Sequence, residues 1–259
     1  MNIGFLPILT AVGLFLGMLF LQEVGRRMGA RRLARDPEGA LAGLGVIEGA
    51  VFGIIGLFMA FTFSGAAARL DTRRAQIAEE ANAIGTAWLR LDLLPAGAQP
   101  ELREKFRQYV DARQAAYRKL PDIAAARAEL ARAKALQDEI WTKSVSACHN
   151  AEAAPDATKL LLPALNHMID FSTTRDTTVQ LHPPAIVYVM LAVLVLAGSM
   201  LAGFAMAASK TRRWLHILAF VAIMGVTVYV ILDLEFPRLG LIRIDSFDQV
   251  MVNLRESMK

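Results

Sequence analysis

The chain has 259 residues, 55% of them hydrophobic, and a formal net charge of +4, with a mean hydropathy of +0.39. Soluble globular chains average roughly 45–50% apolar residues even with glycine counted, so this composition excludes an ordinary water-soluble fold over the whole length and points to a membrane protein. The small positive charge forms no basic strip interleaved with aromatics, and no nucleic-acid partner is expected.

A spanning helix needs about 20 mostly apolar residues, and four segments qualify. Residues 1–22 carry no charge. The first span is read over residues 5–21, with Pro7 in its first turn, where a missing N–H does no harm. No Lys or Arg precedes the apolar run and no small-residue cleavage site follows it, so it reads as a retained span and not a signal peptide. A basic link with Arg26, Arg27, Arg31, Arg32 and Arg35 leads to the second span, residues 44–64, where Glu48 is the only charge between Gly39 and Ala68. The third span covers residues 185–207, after the break at His182, Pro183 and Pro184. Lys210, Arg212 and Arg213 then link it to the fourth span, residues 214–232.

Residues 69–182 have water-soluble composition, with 16 Lys/Arg and 15 Asp/Glu. Ile77, Ala81, Ile84, Trp88 and Leu91 continue the second span as one apolar face at i, i+4, i+7 spacing. Leu102, Phe106, Tyr109, Tyr117 and Leu120 mark a further helix closed by Pro121. Ile123, Leu130, Ala133, Ile140 and Ala147 mark the next, and Leu161, Leu165, Met168, Ser172 and Val179 the last. Short turns between long helices favour antiparallel neighbours. The reading is an all-α integral membrane protein with four transmembrane helices and an extramembrane antiparallel helical bundle between the second and third. Its parts are residues 1–68 (two spans and the basic link), 69–182 (bundle), 183–232 (two spans) and 233–259 (a juxtamembrane segment). Both short links are basic, which places them in the cytoplasm and the bundle outside.

Several residues stand out within this frame. Gly49, Gly53, Gly56, Ala60, Ser64 and Ala67 form a stripe of small side chains on the second span. Helix association in lipid depends on close packing, which such stripes permit, within one protomer or between copies. Glu48 shares a neighbouring face with Phe52, Ile55, Met59 and Phe63. A carboxylate in a lipid-exposed helix costs at least ~2.5–3.5 kcal/mol, so it faces protein or water unless it reaches the headgroups. On a path its charge favours cations, and the phenyl rings would form an apolar constriction. After the last span, Asp233, Glu235, Arg238, Arg243 and Asp245 form a charged elbow able to pair internally or to line a channel mouth.

Cys148 is the only cysteine, which rules out an intrachain disulfide. His149, Glu152 and Asp156 near it, or His167 with Asp170, supply no convincing four-ligand set, so no metal is expected. Nucleophile elbow, glycine-rich phosphate loop and zinc-protease motif are all missing, so neither an enzyme nor a cofactor is expected.

The stretches EEANAIGTAWLRLDLLP (residues 79–95) and LDLEFPRLGLIRID (residues 232–245), with the second span and its continuation over residues 48–74, resemble the bestrophin-like domain family. The resemblance covers nearly the whole chain. Through a remote link to bestrophins it implies a homo-oligomeric ion channel of a bacterial inner membrane, with the second span lining the pore. The partners it implies are the lipid bilayer, further copies of the chain and permeant ions. By location, Phe52 and Phe63, with Ile55 and Met59 between them, correspond to residues of a pore neck. The resemblance places the bundle in the cytosol, opposite to the charge bias. Two other layouts fit the sequence: a membrane-anchored sensor or binding module using the bundle, and a structural or accessory membrane subunit.

Overall fold

A computed structural model describes residues 6–36, 44–209, 214–238 and 240–259. Its long helices are α1 (Leu6–Arg35), α2 (Leu44–Leu89), α3 (Gln99–Arg118), α4 (Ile123–Cys148), α5 (Ala157–Gln180), α6 (Ala185–Ala205) and α7 (Trp214–Glu235), followed by a short α8 (Gln249–Ser257). No strand occurs among the described residues. Four of the helical stretches are long and apolar enough to cross a membrane. The protein is therefore an all-α, multi-pass membrane protein. The basic residues Arg26 to Arg35, expected in a link, instead extend α1 as helix. The second link's Lys210, Arg212 and Arg213 lie outside the described residues.

The chain divides into two compact units, residues 1–69 with 182–241 and residues 70–181 with 242–259. α2 supplies residues to both. In the first unit, α1 packs chiefly along α6 and also against α7. Met18, Ile55, Leu191, Val195, Val221, Val228 and Ile231 fill its interior. Phe20, Leu57, Phe61, Leu215 and Ile223 point outward and are well exposed, the apolar exterior that lipid tails solvate.

The second unit is built on amphipathic helices, and α3 and α4 form a pair within it. Leu102, Phe106 and Tyr109 of α3 and Ile140 of α4 are fully buried, as are Ile77 and Ile84 of α2 and Leu161, Leu165 and Met168 of α5. The Asp122 side chain caps α4 by accepting the Ala125 N–H at 3.0 Å. α8 docks on α3. Gln114 donates to the Met251 carbonyl at 2.9 Å, Arg107 to the Met258 carbonyl at 2.9 Å, and Arg255 pairs with Asp111 at 2.8 Å. The final segment is thus part of this unit's packing.

Candidate functional site

The first half of α2 has two faces with different fates. Ile55 is 1% exposed and Met59 7% exposed, both enclosed by the helices of their own unit. Room for Ile55 comes from Gly198 of α6, where a Cβ would stand only 2.7 Å from Ile55 Cδ1. Phe52 is half-buried, edge-on to Phe220 of α7 with ring centroids 6.0 Å apart. Phe63 remains exposed at 44%. Glu48 lies in the second turn of α2, half-buried, with no pairing side chain among the described residues.

The small-residue stripe faces the other way. Gly49, Gly53, Gly56, Ala60 and Ser64 are all exposed, and a Cβ added at any of the three glycines would meet nothing within 4 Å. Close glycine packing does occur in this unit, but between α1 and α6. A Cβ on Gly25 would fall 1.9 Å from the Met200 carbonyl oxygen, and one on Gly203 would fall 1.9 Å from that of Gln22. These two contacts bring backbone against backbone, the arrangement that holds helices together in lipid.

At the far end of α7 the acidic residues turn inward. Glu235 is 1% exposed and accepts from Arg69 of α2 through Nε and Nη2 at 3.0 and 2.9 Å. His182 Nδ1 stands 3.0 Å from its other oxygen, and the His182 ring packs on Phe236 at 4.9 Å between centroids. Asp233, fully buried, accepts the Leu241 N–H at 3.1 Å. A Cβ at Gly240 would lie 1.3 Å from Asp233 Oδ1, so a side chain there would displace the Asp233 carboxylate. Glu235 is thus bound to partners outside the elbow. Arg238 is half-buried and Arg243 exposed, while the side chain of Asp245 lies outside the described residues.

The second unit holds a buried ionic cluster that periodicity did not single out. Glu80 of α2 accepts from Arg113 Nε of α3 at 2.7 Å and from Arg175 of α5. Arg113 also binds Asp176 at 2.9 Å. Arg175 stacks over the Tyr117 ring at 4.4 Å. Glu80, Arg113 and Arg175 are each at most 3% exposed. Burial opposes the charged form of Glu80, but the charges and hydrogen bonds of Arg113 and Arg175 outweigh it and hold the carboxyl below its ordinary range. For Arg113, burial works against the cation, and Glu80 overcomes it and raises the pKa. The sequence did carry a signal. Glu80 sits between Ile77 and Ile84, and Arg113 between Tyr109 and Tyr117, so each charge interrupts an apolar face.

No group of three His, Cys, Asp or Glu able to hold a metal is found among the described residues. Cys148 is buried, and that burial pushes its thiol up against a weaker opposing hydrogen bond with Thr158.

A family model for the bestrophin-like domain matches residues 9–246. The fold is similar to the crystal structure of a bacterial bestrophin homolog from Klebsiella pneumoniae carrying a point mutation. The TM-score is 0.61 at 12% identity, over 94% of this chain and 97% of that one. No curated protein matches the chain.

Proposed function

Because the chain belongs to the bestrophin-like family, we propose that it forms a homo-oligomeric ion channel of a bacterial inner membrane, with α2 lining the pore. The observation that carries this reading is the bare stripe of α2. A helix face of Gly49, Gly53, Gly56, Ala60 and Ser64, left uncovered by its own unit, lets copies of α2 approach closely around a common axis. Phe63, exposed beside that stripe, is then next to the pathway, and Glu48, half-buried on the face of Ile55 and Met59, reaches it only at the start of α2. Glu48 favours cations, and Phe63 narrows the path with an apolar ring that gates by dewetting. Ile55 and Met59 stand behind the wall, since their own unit encloses them, and Phe52 holds the rotation of α2 through Phe220.

Purified protein in planar bilayers tests the reading. The expected result is a cation-preferring current, reduced in selectivity by Glu48→Gln and opened by Phe63→Ala. Silence of the reconstituted protein, or unchanged selectivity and gating in both variants, overturns it.

A second reading has one observation in its favour. A cavity of about 370 Å³ in the second unit has the polar residues Tyr109, Lys134, Gln137, Ser172, Asp176 and Thr177 in its lining, as a binding module would require. A small-molecule thermal-shift screen on the full chain addresses it. A hit lost on Gln137→Leu supports ligand binding there.

A further inference from the structure

A cavity of about 300 Å³ opens in the first unit, where α6 ends and α7 begins, beside the middle of α1. Its polar lining comes from Gln22, Glu23, Arg26 and Arg27, and its apolar lining includes Met206 and Trp214. The uncharged run of α1 ends at Gln22 and the first charge is Glu23, while Trp214 opens α7. The cavity therefore lies at the depth of the lipid headgroups, the level that tryptophan prefers.

The polar groups are arranged for a specific occupant. Glu23 accepts from Arg26 at 2.9 Å and from Arg27 at 2.8 Å. One carboxylate against two guanidiniums leaves a net positive charge and several unused N–H donors, since each guanidinium carries five. Planar donor forks of this kind suit a phosphate. Gln22 is 3% exposed. Its Nε2 points to Met206 Sδ at 3.9 Å, and a thioether only accepts, which fixes the orientation of the amide. Its Oε1 is then a buried acceptor with no partner among the described residues. A buried polar atom left in this way is unfavourable, so a donor is called for.

We propose that this cavity binds one phospholipid, with its phosphate on Arg26 and Arg27 and a donor-bearing head, an ethanolamine ammonium or a glycerol hydroxyl, on Gln22 Oε1. Phosphatidylcholine carries the same phosphate and the same zwitterionic charge as phosphatidylethanolamine but no N–H donor, so that pair of lipids is the discriminating comparison.

The test is native mass spectrometry of the purified full chain in dodecyl maltoside, titrated with phosphatidylethanolamine, phosphatidylglycerol or phosphatidylcholine. Phosphatidylethanolamine is expected to bind at least roughly tenfold more tightly than phosphatidylcholine, the worth of one charge-assisted hydrogen bond. Phosphatidylglycerol should also bind more tightly, through its net negative charge at the arginines as well as its hydroxyls. Arg26→Ala with Arg27→Ala should weaken both by roughly tenfold or more. These arginines are 31% and 69% exposed, so the double variant is expected to fold, which an unchanged thermal midpoint checks. Gln22→Met should keep arginine-dependent binding but erase the preference for phosphatidylethanolamine over phosphatidylcholine. Should that variant misfold, the lipid series on the native chain decides alone. Equal affinity for phosphatidylethanolamine and phosphatidylcholine, or unchanged binding in the double arginine variant, overturns the proposal. Glycerophosphoethanolamine, the head without chains, should fail to compete. Competition at equal concentration would make the site one for a free phosphodiester and sink the lipid reading.

Discussion

Glu80 shows how a single carboxylate organises a bundle. It meets Arg113 from α3 and Arg175 from α5, so three helices converge on one anion. Buried ion pairs add little net stability over apolar packing, yet removing one partner strands the other charges and costs ~3–5 kcal/mol. Glu80→Gln is therefore expected to destabilise the protein by about that amount, read as a lower midpoint in chemical denaturation of the full chain. Arg113→Ala should behave similarly. The pH dependence has a definite sign. The folded-state pKa of Glu80 lies below its reference value of 4.5. Its contribution is complete above that reference and is lost as pH falls through the lower folded value. Stability of the native chain should fall steeply below pH 4.5, and that of Glu80→Gln should fall less over the same range. Equal acid sensitivity of the two proteins would refute this role.

At the scale of the helix, glycines of similar sequence context have opposite duties. Gly25 and Gly203 sit where backbone meets backbone between α1 and α6, whereas Gly53 and Gly56 of α2 border open space. Gly203→Val should disrupt α1 against α6 and lower the thermal midpoint sharply. Gly53→Ala should leave the monomer's fold intact, or stabilise α2 by up to about 1 kcal/mol through helix propensity. Fluorescence-detected thermal unfolding in detergent separates the two outcomes. Helix identity was largely legible in the sequence because hydropathy and period report it directly. The turn at Pro121 falls where the spacing put it. Leu102, Phe106 and Tyr109 of α3, Ala133 and Ile140 of α4 and Leu161, Leu165, Met168 and Ser172 of α5 are buried as read, but Ile123 and Val179, assigned to the same faces, are exposed at 40% and 46%. Partner choice was not legible. The α2 stripe and the α1/α6 glycines look alike as residue types, and only tertiary packing shows which are covered. Ile55 and Phe63 were read on one face, yet the first is sealed and the second open, because the buried positions of α2 form the stripe Ile55, Met59, Thr62 and Ala66 and Phe63 lies beside it. The ionic cluster at Glu80 escaped an apolar-period search because charges do not register as core until their partners are known.

For the whole molecule, the exposed stripe of α2 makes a prediction about assembly that needs no electrical recording. With Cys148→Ser as background, Gly53→Cys or Gly56→Cys should cross-link copies under mild oxidation, and the same change at outward Ile223 of α7 should not. A cysteine at the stripe that yields only monomer would rule out close approach of α2 between copies, whatever the bilayer experiments report. The lipid titration of the Arg26 and Arg27 variants is independent of this outcome, because it reads a cavity within one protomer.

The backbone contact between α1 and α6 also constrains how the chain is made. α1 leaves the ribosome first, and its partner begins only at Ala185. During that interval the face of α1 that α6 will cover has lipid in place of a neighbour. Residues 6–22 of α1 must therefore be soluble in the bilayer without α6, and they carry no charge. A charge introduced there would tax insertion long before the finished molecule could shelter it.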